Sequence, residues 1–267
     1  MSGYVFVRLD GVPHHVEVTG GGPVCVLSAG LGLAWFEWDP VVRLLARHRT
    51  VVRFDRPGLG LSGHARVPPT LSGEADRIAR VLDAVGLGGR AVTVVGHSLA
   101  GFHAEAFARL HPERTAALVL VDSSVEERTR ALPGRGFRVG CARAGAGVLS
   151  AVGVPRALGP LLRGGSVPRE LRWVYGASRV WRAGLVEYVT YGDVAHELAL
   201  LREEVRLPSV PVTVVAASRT GAGRWVSRQR DLAAGLGAHF RVLAPATHVP
   251  MPDHATSLTE SILTPPP

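Results

Sequence analysis

A serine held between a strand and a helix is the feature of this chain most able to do chemistry. In Val94-Val95-Gly96-His97-Ser98-Leu99-Ala100-Gly101 an apolar run ends, Ser98 follows on a turn among small residues, and helical spacing begins at once. Such a turn brings strand and helix close together, which demands small neighbours, and lifts the hydroxyl above the strand ends. It also aims the helix N-terminus, with the Leu99 N–H, at the point where an attacked carbonyl oxygen turns negative. A serine hydroxyl is a weak nucleophile until an imidazole within hydrogen-bond reach takes its proton. The chain has 11 histidines, so most of them have other tasks. His248 follows a strand-like run in Ala246-Thr247-His248-Val249-Pro250, just ahead of the last helix, and His254 lies six residues further on, where that helix starts. His97 adjoins the serine, but on so sharp a turn its ring points away from the hydroxyl, toward packing or hydrogen bonding beneath it. Asp122 closes the strand after the serine's helix, a place where aspartate also occurs for purely structural reasons.

These residues need a frame that brings them together, and the pattern predicts one. Tyr4–Leu9 and His15–Thr19 read as an opening hairpin turned at Asp10-Gly11. Val24–Ser28, Val51–Asp55, Ala91–Gly96, Ala116–Val121, Val212–Ala216 and Phe240–Leu243 read as further strands, several of them continuous apolar runs suited to a sheet covered on both faces. Between them lie helical patterns near Pro40–Arg47, Leu71–Val85, Leu99–Leu110, Val226–Leu236 and Ala255–Leu263. In the second, Leu71, Ala75, Ile78, Ala79, Leu82 and Val85 form one apolar face. Alternation of this kind predicts an α/β fold: a mostly parallel sheet of about eight strands with helices on both faces. The alternation breaks over Ser124–Leu207, which has helical patterns and no convincing strand. We read 1–123 and 208–267 as the core and 124–207 as an inserted helical cap over the sheet's carboxyl edge, where such folds bind ligands.

Composition removes several function classes. All 30 basic residues are arginine, giving a formal net charge of +8, of which +5 lies in the insertion. No arginine block or nucleic-acid motif accompanies this charge, so it reads as genome composition and not as a nucleic-acid footprint. No apolar run approaches the roughly 18 residues of a membrane span. The first ten residues do not read as a secretory signal, and with only Cys25 and Cys141 the expectation is reduced thiols and a cytoplasmic protein, one disulfide being the alternative. No metal-ligand spacing and no P-loop lysine is present, so neither a metal nor another cofactor is expected.

The serine turn resembles the nucleophile elbow, Gly-x-Ser-x-Gly, of the α/β-hydrolase fold family, with Ala100 at the last glycine and Gly101 after it. Two further stretches resemble that family in the right order: Ser28-Ala29-Gly30-Leu31-Gly32 its oxyanion loop, with Ala29 where histidine is common, and Asp55-Arg56-Pro57-Gly58-Leu59-Gly60-Leu61-Ser62 a structural turn. The resemblance spans residues 1–123 and 208–263 and hardly touches the insertion. It implies Ser98 as nucleophile, His248 as base in preference to His254, and oxyanion donors from the Leu31 and Leu99 N–H groups. The family's usual acid position, in Ala217-Ser218-Arg219-Thr220-Gly221-Ala222-Gly223-Arg224-Trp225, holds no carboxylate here. Some members take the acid from the position of Asp122, which gives the order Ser98, Asp122, His248.

The expected activity is hydrolysis of a carboxylic ester, lactone or thioester of a small, largely apolar compound. Acyl transfer or cyclisation, with an acidic carrier protein docking on the basic cap, and a catalytically idle ligand receptor are the alternatives. A serine elbow argues against epoxide hydrolase and dehalogenase chemistry, which in this fold use aspartate there. Trp35, with Phe36 and Trp38, follows the oxyanion loop and is placed to line an entrance beneath the cap. Trp173, Trp181 and Tyr188 are candidate pocket walls within the cap. For each of these aromatics, simple packing in a core is the competing reading.

Overall fold

Valine-rich runs of five to nine residues build the sheet. The computed structural model describes residues 2–64, 66–127, 129–162 and 167–263. In chain order the elements are β1 (Ser2–Leu9), β2 (Val12–Gly20), β3 (Val24–Ser28), α1 (Asp39–Leu45), β4 (Thr50–Phe54), α2 (Leu71–Ala84), β5 (Val92–His97), α3 (Leu99–Leu110) and β6 (Thr115–Val121). After the helices α4 (Arg135–Ala151), α5 (Val154–Leu162) and α6 (Ser178–Glu204) come β7 (Val212–Ala217), α7 (Arg224–Gly235), β8 (His239–Leu243) and α8 (Ala255–Leu263). The eight strands form one sheet in the order β1-β2-β4-β3-β5-β6-β7-β8. The opening hairpin is antiparallel, β2 pairs antiparallel with β4, and every other pairing is parallel.

Side chains alternate across each strand, so one run feeds two cores. Val26, Val52, Val94, Leu118 and Val214 pack with α2, α3 and α7 on one face. Cys25, Leu27, Val51, Val95, Val119 and Val215 pack with α1 and α8 on the other. Because both faces are covered, the central strands show continuous apolar runs instead of alternation. Parallel strands bring every carboxyl end to one edge, and there β5 delivers Ser98, β6 delivers Asp122 and the chain after β8 delivers His248.

Among the described residues the insertion between β6 and β7 adds no strand to the sheet. It comprises α4, α5, a 3₁₀ helix (Arg169–Gly176) and the 27-residue α6. A small apolar core of its own joins Val174, Tyr175, Val180 and Ala183 to Ala34, Trp35, Phe36 and Leu59 beneath it. The far end of α6 belongs to the main core: Val194, Ala195 and Leu198 pack there, and Arg202 and Arg109 both pair with buried Glu105 of α3. The insertion thus hangs from a helix anchored in the body of the fold. Among the described residues no single helix is long and apolar enough to cross a membrane, and Cys25 and Cys141 are both free thiols.

His103, on α3, is fully buried with no hydrogen-bond partner on either ring nitrogen among the described residues. Burial pushes its pKa down to about 3. The unfolded chain binds a proton here below about pH 6.5 while the native state does not. Native stability is therefore lost as pH falls from about 6.5 toward 3, at up to about 1.4 kcal/mol per pH unit from this group. His103→Leu is expected to flatten that acid limb and to raise the melting temperature at pH 5, read by thermal denaturation across pH 4–7. An unchanged acid limb would clear His103 of the effect.

Candidate active site

The chain reverses so sharply after β5 that Ser98 sits at φ 53°, ψ −125°, outside the usual region for a residue with a side chain. Such a conformation costs on the order of 1–3 kcal/mol and persists only where its surroundings enforce it. Here they do: Ser98 N–H donates to the Val121 carbonyl (3.1 Å), and its own carbonyl accepts from the N–H groups of Gly101 (2.9 Å) and Ser124 (3.1 Å). The small neighbours are explained by close approach. A Cβ on Gly96 would lie 2.2 Å from the Ala100 carbonyl oxygen, and one on Gly101 would lie 2.0 Å from Ser123 Oγ. The second glycine of the turn is needed one residue later than the common motif places it, and Ala100 fits at its own position without exposure.

At this edge three side chains form one hydrogen-bonded line. Ser98 Oγ lies 2.9 Å from His248 Nε2, and His248 Nδ1 lies 2.5 Å from Asp122 Oδ2. Asp122 is buried, also at positive φ (42°), and held by its own N–H to the Val215 carbonyl. Its second oxygen, Oδ1, accepts from the Ala217 N–H (2.8 Å) and from Trp225 Nε1–H (2.6 Å). Those donors come from the stretch Ala217–Trp225, from the end of β7 onward, that lacks a carboxylate: the stretch supplies hydrogen-bond donors to an acid that directly follows β6. His254 lies apart, its Nε2 2.9 Å from the Pro245 carbonyl. His97 points beneath the turn, where its Nε2 is 2.7 Å from the His248 carbonyl and its ring packs on the His248 ring, so it steadies the loop that carries the imidazole.

The loop after β3 touches the serine: a Cβ on Gly30 would lie 3.0 Å from Ser98 Cβ and 2.9 Å from His97 Nδ1. A buried ion pair fixes this loop. Arg56 donates to the Ala29 and Gly30 carbonyls and to both carboxylate oxygens of Glu187 on α6, and Glu187 Oε2 accepts from the Gly32 N–H (2.9 Å). Burial is the largest single influence and lowers the Arg56 pKa, but the Glu187 charge and hydrogen bonds, together with the charges of Glu74 and Asp55, hold the guanidinium above its ordinary value. Leu31, between these anchors, lines an apolar cavity of about 290 Å³ together with Trp181 and Tyr188 of the insertion. Leu99 is the first residue of α3, where an N–H has no intrahelical acceptor.

The other two aromatic candidates lie elsewhere. Trp35 is buried, its ring packed on His15 (4.4 Å) and Phe36 (4.8 Å) and its backbone N–H donating to Asp55 Oδ1, so it fills the seam between core and insertion and does not line that cavity. Trp173 is 57% exposed on the outer side of the 3₁₀ helix and is not a wall of that cavity. Asp55 also accepts from the Leu61 N–H and pairs with His15, which accounts for the Asp55–Ser62 turn by structure alone. Two contributors carry no local signal of their own: Trp225, which ends the stretch without an acid, and Glu187, one of eight acids in an insertion that the resemblance hardly touches.

Residues 24–259 match the model of the Alpha/beta hydrolase family. The chain belongs to this family. Among curated proteins, "Putative carbamate hydrolase RutD" of Azorhizobium caulinodans is 34% identical over 108 residues, 40% of this chain and 40% of the relative. The matched stretch therefore spans about two fifths of such relatives' length. Among solved structures, Cfl2 of Burkholderia cenocepacia is similar with a TM-score of 0.76 at 23% identity, over 97% of this chain and 94% of that one. The enol-lactonase of Burkholderia xenovorans LB400 is similar with a TM-score of 0.71 at 21% identity, over 97% and 98%. At these identities the likeness is one of fold.

Proposed function

We propose that this hydrolase-family chain is a serine hydrolase that cleaves a carboxylic ester, lactone or thioester of a small, largely apolar substrate through an acyl-enzyme. The observation that carries the reading is the unbroken hydrogen-bond line Ser98–His248–Asp122 beside a loop that touches Ser98. In this mechanism His248 Nε2 takes the Ser98 proton as Oγ bonds to the acyl carbon, and Asp122 orients the imidazole and stabilises its charged form. The N–H groups of Leu99 and Leu31 receive the oxyanion. Collapse breaks the bond to the alcohol or thiol, which leaves with the proton from His248. Water, deprotonated by the same imidazole, then attacks the acyl-enzyme and releases the acid and Ser98.

The insertion 124–207 acts as a cap on a core made of 1–123 and 208–267, and the cavity bounded by Leu31, Trp181 and Tyr188 receives the apolar part of the substrate. A carbamate presents a comparable acyl carbon, and the printed name of the RutD relative puts carbamates into the test panel. The test is a fluorophosphonate probe together with p-nitrophenyl esters and carbamates of graded length. Labelling at Ser98 with steady turnover supports hydrolysis. Labelling with slow release of the acyl group points to transfer or cyclisation, and absence of labelling rejects the serine mechanism.

Trp225 is a positioning residue in this scheme, since it touches only the carboxylate. Trp225→Phe removes one hydrogen bond to a charged group, a loss of about 1.5–3 kcal/mol. The expected result is a fall in kcat of roughly tenfold or more with KM nearly unchanged. Wild-type kcat in folded Trp225→Phe would reduce Trp225 to packing.

A further inference from the structure

A second cavity, of about 200 Å³, lies between the core and the opposite side of α6, and neither Ser98 nor His248 lines it. Six arginines line it against two carboxylates, Glu74 and Glu187. Both acids are already engaged: Glu74 gives both oxygens to Arg77, and Glu187 is held by Arg56 and the Gly32 N–H. The remaining cations, Arg66, Arg143, Arg179 and Arg182, leave an excess of four positive charges around one small space. Among the described residues neither Arg143 on α4 nor Arg182 on α6 has a hydrogen-bond or ion-pair partner, and Arg143 is half-buried. Among the described residues Arg179 donates to the carbonyls of Gly60 and Ser62, and burial lowers its pKa although the charge of Asp55 acts to raise it.

Cations gathered in this way repel one another and lose hydration, a cost that stays uncompensated until an anion arrives. Guanidinium forks from two elements of the cap face those of the core, an arrangement suited to bidentate contact with several oxygens of one anion. The space is smaller than the roughly 300–1,000 Å³ that encloses a whole drug-sized ligand, so it suits a charged head group. We propose that this core–cap cavity is a binding site for a small polyanion of phosphate type. The floor of the site is the Arg56–Glu187 pair that also holds the loop against Ser98, so an anion bound here stiffens the attachment of cap to loop.

The test is calorimetric titration with inorganic pyrophosphate in low salt, repeated in Ser98→Ala so that binding is read independently of any turnover. The expected dissociation constant is below about 1 mM. Arg143→Gln/Arg182→Gln weakens it at least tenfold, whereas Arg43→Gln/Arg90→Gln, which removes the same charge from exposed positions elsewhere, changes it less than twofold. Arg182→Gln alone, at an exposed position, serves if the double variant melts early. Absence of binding, or equal weakening by both pairs of substitutions, overturns the proposal. Two ester substrates distinguish the source of the anion. A KM that rises in Arg143→Gln/Arg182→Gln only for a phosphate-bearing ester marks a substrate's own phosphate; lost pyrophosphate binding with both KM values unchanged marks a free anion.

Discussion

Ser98→Ala is expected to lower kcat on a p-nitrophenyl acyl ester by on the order of 10⁶, with the melting temperature nearly unchanged. The factor corresponds to about 8 kcal/mol of transition-state stabilisation. It is large because nucleophile, base and acid act as one unit: without Oγ the His248 and Asp122 side chains have no proton to move. The fold is spared because the turn is held by main-chain bonds from Val121, Gly101 and Ser124, none of which uses the hydroxyl. Alanine bears the same positive φ at the same cost. Residual turnover over water, of order 10³–10⁴, is expected from the oxyanion donors and binding alone. A folded Ser98→Ala protein that keeps a tenth of wild-type turnover would sink the nucleophile assignment.

Much of the frame was legible because its signals are local. A parallel sheet buried on both faces requires runs such as Val92–Val95 and Leu118–Val121, and each was recognisable on its own. Strand ends shifted by one or two residues: β4 starts at Thr50 and β7 runs to Ala217. β1 and β2 each begin earlier than their alternation suggests, because the pairing between these two strands continues through Gly3 and Val12, where the side-chain pattern is weak. The elbow was legible for the same reason, since strand, turn and helix are consecutive.

What was hidden depends on partners distant in sequence. Trp225 and Asp122 are 103 positions apart, and Arg56 and Glu187 are 131 apart. No local pattern marks an indole as a donor to a carboxylate, or one of the five acids on α6 as the partner of a buried arginine. The aromatics illustrate the same limit. Trp35 and Trp181 have equal apolar appeal, yet the Asp55 carboxylate draws the start of the Trp35 segment into the seam, while Trp181 faces the cavity. In the proposed triad Asp122 is the acid, and the Ala217 and Trp225 donors to its Oδ1 give a physical reason why the family's usual acid position can do without a carboxylate.

Asp122→Asn is the second large effect, an expected loss of about 10⁴ in kcat. The surroundings determine which way the amide must turn. Two donors, the Ala217 N–H and Trp225 Nε1–H, converge on Oδ1, so the amide oxygen has to occupy that position and the NH₂ group takes the place of Oδ2. There it donates to His248 Nδ1, which leaves the neutral ring's proton on Nε2. A protonated Nε2 cannot accept from Ser98 Oγ, so the imidazole sits in the right place as the wrong tautomer. Stability should change little, because both buried donors keep an acceptor. Asp122→Ala differs in that respect: it strands both donors and is expected to cost about 1–3 kcal/mol for each one left unsatisfied. Comparing the two variants by turnover and by thermal denaturation separates tautomer control from packing. Near-full activity in folded Asp122→Asn would remove Asp122 from the mechanism.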